Sequence, residues 1–137
     1  MVDNATFLRY SQTTGLMELI HRVDGVDGPS EAVATGWAGN GPGKNNPDMD
    51  SVIGVGPLPR GFYSVCEPSN NQHTGPYSIR LIPYEDNVMH GRSDFLIHGA
   101  SKDPNKHGQE SMGCIILDRQ SRERVWGYRP YCLEVVK

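Results

Sequence analysis

Phe95-Leu96-Ile97-His98-Gly99 and Ser111-Met112-Gly113-Cys114-Ile115-Ile116-Leu117 are two short apolar runs joined by a polar loop. Phe95 to His98 reads as a strand, and Cys114 to Leu117 as another strand or a strand-to-helix turn. His98 closes the first run and Cys114 opens the second, and each sits beside a glycine that lets backbone approach closely. Taken singly, a cysteine before Ile-Ile-Leu is most often a small core residue, and a lone histidine is most often a hydrogen-bonded structural one. Together they are the minimal equipment for acyl transfer through a thioester. Adjacent strands joined by such a loop bring imidazole and thiol within reach for proton transfer. An imidazolium beside the sulfur would lower the thiol pKa. The amides of Gly113 and Cys114 are candidate oxyanion donors, and Ser111 a substrate contact.

Working outward, the chain reads as mostly β. Thr6–Tyr10 and Leu16–His21 flank a Ser-Gln-Thr-Thr-Gly turn, and Ala32–Trp37, Phe62–Glu67, Tyr77–Pro83 and Tyr131–Val136 supply further strands. Residues 24–30 read as a loop. The stretch from Gly39 to Asp50 has no periodicity and is either a mobile or a functional loop. Asp118 is the expected N-cap of one short helix that reaches Trp126, with Gly127 as its stop. A single domain over residues 1–137 results, a β-sandwich or partly open barrel with one short helix.

Composition narrows the function. The 137 residues carry a net charge of −3, with a mean hydropathy of −0.52. Residues 1–59 hold three basic and seven acidic side chains, and residues 60–137 ten and nine, so neither half offers the basic stripe of a nucleic-acid binder. No apolar run reaches membrane-spanning length, and the start lacks the basic and apolar regions of a secretory signal. Three cysteines allow one disulfide, Cys66 to Cys132, or three reduced thiols. His90, His98, His107 and Cys114 lack the paired spacing of a zinc site, so no metal and no cofactor is expected.

Arg92, six residues before His98, falls on its face in an unbroken strand, and would bind a substrate carboxylate or hold the loop through a salt bridge. His90 would share that face. Arg60 supports its turn or meets substrate, and Lys44, Asn45 and Asn46 are candidates for a cleft rim.

The ordered set of segments resembles the YkuD-type L,D-transpeptidases, and more closely the compact branch found among type VI secretion effectors that attack peptidoglycan. The resemblance runs through the Tyr-Ser-Gln-Thr-Thr-Gly turn, Lys44-Asn45-Asn46-Pro47, Gly56-Pro57-Leu58-Pro59-Arg60-Gly61 and Gly91-Arg92-Ser93-Asp94. It ends on the two runs quoted first. It implies Cys114 as nucleophile, His98 as base and the Gly99 carbonyl as the group that orients the imidazole. Met112 stands where that family usually has a second histidine, and Ile116 where arginine or asparagine often follows. The implied substrate is a peptidoglycan stem peptide. Without a visible export signal, the chain would be made in the cytoplasm and delivered into a rival's periplasm, with an immunity protein in the producing cell. An inactive wall-binding module and another thiol acyltransferase or amidase use the same residues. A papain-like order is absent, as is the Thr-Leu-x-Thr-Cys element of sortases.

Overall fold

The computed structural model describes residues 3–103, 105 and 111–137. The strands are β1 (Ala5–Ser11), β2 (Leu16–Val23), β3 (Val26–Asp27), β4 (Glu31–Thr35), β5 (Trp37–Ala38), β6 (Gly61–Val65), β7 (Ser69–Asn71), β8 (Gly75–Pro83), β9 (Phe95–His98), β10 (Ile115–Ile116) and β11 (Leu133–Val136), with one α-helix, α1 (Arg119–Gly127). The sheet runs β3-β2-β1-β11-β6-β8-β9-β10-β5, with β4 also pairing β2 and β7 pairing β8. The sheet is open, so the mainly β architecture with one helix holds and the barrel stays unclosed.

Alternation decides what each strand offers. Ile79, Ile97 and Ile115 lie in register across β8, β9 and β10, and all three are fully buried. Burying a side chain of this size contributes about 1.5–3 kcal/mol. The residues between them, on the opposite face, include Arg80, Leu96 and His98. One face of this three-strand unit is therefore core, and the other is free to build a site. Helix α1 packs against β4, β8 and β9. Its start is fixed as expected, with the Asp118 carboxylate accepting from the Ser121 amide at 2.7 Å.

Several expectations change. Residues 24–30 contain β3, and β7 forms from Ser69-Asn70-Asn71, a polar segment without strand character. The Gly39–Asp50 stretch folds into two 3-10 turns, Gly41–Gly43 and Pro47–Met49. Cys66 and Cys132 are both free thiols, Cys132 lying buried with Phe7 and Ile20, so the bridge does not form. Among the described residues, no helix is long and apolar enough to cross a membrane.

Candidate active site

The site grows from the free face of β9 and β10. These strands are parallel, with Ile97 opposite Ile115 and His98 opposite Ile116, so Cys114 continues the register opposite Leu96. Cys114 and His98 thus sit diagonally on one face, and both line a cleft of about 1160 Å³. The Asn71–Pro76 hairpin between β7 and β8 forms one wall. Residues 99–102 and the start of α1 form the other.

Both side chains are held by backbone. Nδ1 of His98 lies 2.9 Å from the Gly99 carbonyl oxygen. A carbonyl only accepts, so Nδ1 carries the proton and, in the neutral ring, Nε2 is the basic nitrogen. The Leu96 amide donates to Cys114 Sγ at 3.3 Å. Burial nonetheless pushes the Cys114 thiol above its ordinary pKa, outweighing the Leu96 amide and the positive charges of Arg80 and Arg92. This reverses the lowered pKa expected from an imidazolium partner. A raised pKa favours the protonated sulfur near neutral pH.

The loop carrying Cys114 is built from inside. The Ser111 hydroxyl is fully buried, donates to the Cys114 carbonyl at 2.5 Å and accepts from the Gly39 amide at 2.8 Å. The Asn40 side-chain amide donates to the Ser111 carbonyl at 2.7 Å and to the Gly54 carbonyl at 2.8 Å. Ser111 is therefore a brace, not the surface contact its sequence position suggests. The Gly113 amide donates to that hydroxyl at 3.2 Å, which turns it inward and leaves the Cys114 amide as the oxyanion candidate. The glycine-rich stretch from Gly39, mobile or functional on sequence grounds, is the buttress of this loop.

Arg92 does not face the cleft. His90, Gly91 and Asp94 all have positive φ, which breaks the extended run assumed for this stretch and cancels the face shared with His98. The Arg92 side chain is 6% exposed and donates to the carbonyls of Asp50 (2.7 Å), Pro57 (2.8 Å), Gly56 (2.9 Å) and Met112 (3.1 Å). It clamps the proline-rich turn onto the cysteine loop, through carbonyls rather than a carboxylate. His90 instead approaches Asp50, at 4.0 Å, and Arg60 donates to the same carboxylate at 3.1 Å. Lys44 lies over the Trp37 ring, while Asn45 and Asn46 bond to backbone near their own loop, so none of the three lines the cleft. His107 lies outside the described residues.

A second buried arginine went unread in the sequence. Arg122 is 5% exposed and donates to the Leu117 carbonyl at 2.6 Å and the Tyr77 carbonyl at 3.1 Å. It stands behind Gly99, where an added Cβ would come within 2.7 Å of its Nη1. The available signal was its phase: Arg122 and Val125, three apart, share the inward face of α1.

Gly113 is the tightest point of the site. Its φ is +127°, and a Cβ there would lie 2.6 Å from Arg92 Nη2 and 2.7 Å from Phe95 Cε1. Gly113→Ala is expected to lower stability by about 1–3 kcal/mol and to displace the neighbouring sulfur, read as an earlier urea midpoint together with slower Cys114 alkylation.

The profile of the Tlde1 domain matches residues 32–130. Two crystal structures of Pgp2, the helical cell shape determining protein of Campylobacter jejuni, are similar to the chain. The point-mutant structure gives a TM-score of 0.58 and the other 0.56; each is 19% identical and covers 98% of this chain and 47% of its own. The chain thus spans about half the length of those structures. An NMR structure of the catalytic domain of an E. faecium L,D-transpeptidase, acylated by ertapenem, aligns over 99% of this chain and 100% of its own at 16% identity and a TM-score of 0.43. No curated protein sequence matches. With its profile matched over well more than half of the residues, the chain belongs to the Tlde1 domain family, a type VI effector family, and shares its fold with the Pgp2 structures.

Proposed function

We propose that the domain is a cysteine-dependent acyl transferase acting on peptidoglycan stem peptides. Family membership and the fold support an enzyme of peptidoglycan. The observation that carries the finer reading is the placement of Cys114 and His98 on one cleft face, with Nδ1 turned to the Gly99 carbonyl.

In this mechanism Nε2 of His98 takes the Cys114 proton as sulfur attacks the carbonyl joining the third stem residue, meso-diaminopimelate, to D-Ala. The developing oxyanion is held by the Cys114 amide, an interaction worth about 3–4 kcal/mol in comparable sites. The C–N bond then breaks, His98 returns the proton to the departing D-Ala amine, and a thioester remains. Water releases a tripeptide, a free D-amino acid gives exchange, and a second stem amine gives a 3–3 cross-link. Burial of the thiol suits this order of events, because a proton removed only in the complex protects the resting sulfur. The reaction needs no cofactor and no metal.

The biological reading is an antibacterial effector delivered into the periplasm of a rival, with an immunity protein guarding the producer. Purified tetrapeptide muropeptides incubated with the protein are expected to lose D-Ala, seen as tripeptide by mass spectrometry. Cys114→Ala is expected to abolish that product and the growth defect caused by a periplasm-directed copy. Intact tetrapeptide with wild-type protein would reject the reading, and labelling of Cys114 by a thiol probe in the same sample would redirect it to another acyl substrate.

A further inference from the structure

We infer that Arg80 is the residue that binds a substrate carboxylate beside the reacting thiol. The inference rests on the acyl-transfer reading and names the feature of the substrate that this cleft selects.

Register supplies the first argument. Arg80 on β8 pairs with Leu96 on β9, and Leu96 in turn holds the Cys114 sulfur through its amide. Arg80, Leu96 and Cys114 therefore form one row across three neighbouring strands, on the cleft face. Two strand spacings, about 10 Å of backbone, separate the first from the last. A long side chain and a bound substrate group close that span.

The second argument is availability. Among the described residues, the lysine and arginine side chains that line the cleft are Arg80, Lys102, Arg119 and Arg122. Arg122 is committed to backbone carbonyls. Arg119 is stacked over the Tyr77 ring at 4.5 Å and belongs to α1, outside the strand row that holds the sulfur. Lys102 sits on the loop after β9, outside the strand row that holds the sulfur. The Arg80 side chain is 46% exposed, and its ionic partner among the described residues is Asp94, 3.8 Å away and 86% exposed. A solvent-facing pair of that kind is worth little and is readily exchanged for a better acceptor. A carboxylate offers that acceptor, since a guanidinium takes both of its oxygens at once.

Substrate chemistry selects which carboxylate. In the proposed reaction the D-Ala carboxylate lies three bonds from the scissile carbonyl, nearer than the free carboxylate of the D-Glu residue. Arg80 then anchors the leaving residue by its chain terminus, and the cleft prefers stems that end at that residue.

The test uses Cys114→Ala protein, in which turnover is blocked, so that it is separate from the test of the chemistry. Titration calorimetry compares a tetrapeptide stem with a free C-terminus against the same peptide as its C-terminal amide. Tighter binding of the acid, by about 10- to 100-fold, is expected. Arg80→Met in that background is expected to make the two affinities converge, and Arg80→Lys to restore part of the difference. Equal binding of acid and amide, no binding of either, or a preference that survives Arg80→Met would overturn the assignment. Matching thermal melts of the variants exclude a loss of fold as the cause.

Discussion

Arg92→Met is expected to cost about 3–5 kcal/mol of folding stability, a large share of the 5–15 kcal/mol typical of a domain. The substitution keeps much of the apolar stem and removes every donor. Four carbonyls, those of Asp50, Gly56, Pro57 and Met112, then lose their shared partner inside the protein. A buried acceptor without a partner costs about 1–3 kcal/mol, and water entering the opened loop offsets part of the sum. Arg92→Lys is expected to recover little, because an ammonium is a point donor and cannot span four acceptors spread over two loops. Urea unfolding of the three proteins measures this directly. An Arg92→Met protein within 1 kcal/mol of wild type would mean that the clamp is not what holds the cysteine loop.

The second large effect is kinetic. His98→Ala is expected to slow the acyl transfer by about 10²- to 10⁴-fold at neutral pH. The sign of its pH dependence separates a base from a mere packing residue. Burial raises the Cys114 pKa, so near neutrality the sulfur holds its proton and the wild-type enzyme depends on imidazole to remove it. Without His98, only thiolate formed by ionisation in solvent reacts, and its fraction rises tenfold per pH unit below the thiol pKa. The gap between wild type and variant therefore narrows as pH rises. Rates measured from neutral to alkaline pH give the ratio, and a ratio that stays constant would remove His98 from the proton-transfer step.

The parts of this protein that were legible in its sequence are those where one local rule acts alone. The β1–β2 hairpin is marked by apolar runs around a turn, and α1 by the side chain of Asp118. His98 and Cys114 stand out because one closes an apolar run and the other opens the next. The misreadings share a different cause. Counting residues along a strand puts Arg92 on the face of His98, and positive φ at His90, Gly91 and Asp94 spoils that count. Ser111 looks like a surface residue, yet a hydroxyl with partners on both sides is stable when wholly buried. Strand β7 has no sequence signal of its own because its pairing with β8 is a tertiary choice. Arg80, between Ile79 and Leu81, carries no sequence signal of its own, and the three-strand register shows what it stands beside.

The last strand of the chain is also among its innermost. β11 pairs in parallel with β1 on one side and antiparallel with β6 on the other, so Leu133–Val136 join the N-terminal hairpin to the half that bears the thiol. Without those four residues, β1 and β6 have no strand between them. Assembly of this architecture is governed by contacts between distant parts of the chain, which favours slow, all-or-none acquisition of structure over growth from one end. The chain must be extended through Val136 before the sheet is continuous, and loss of Leu133–Val136 would strike the middle of that sheet rather than its margin.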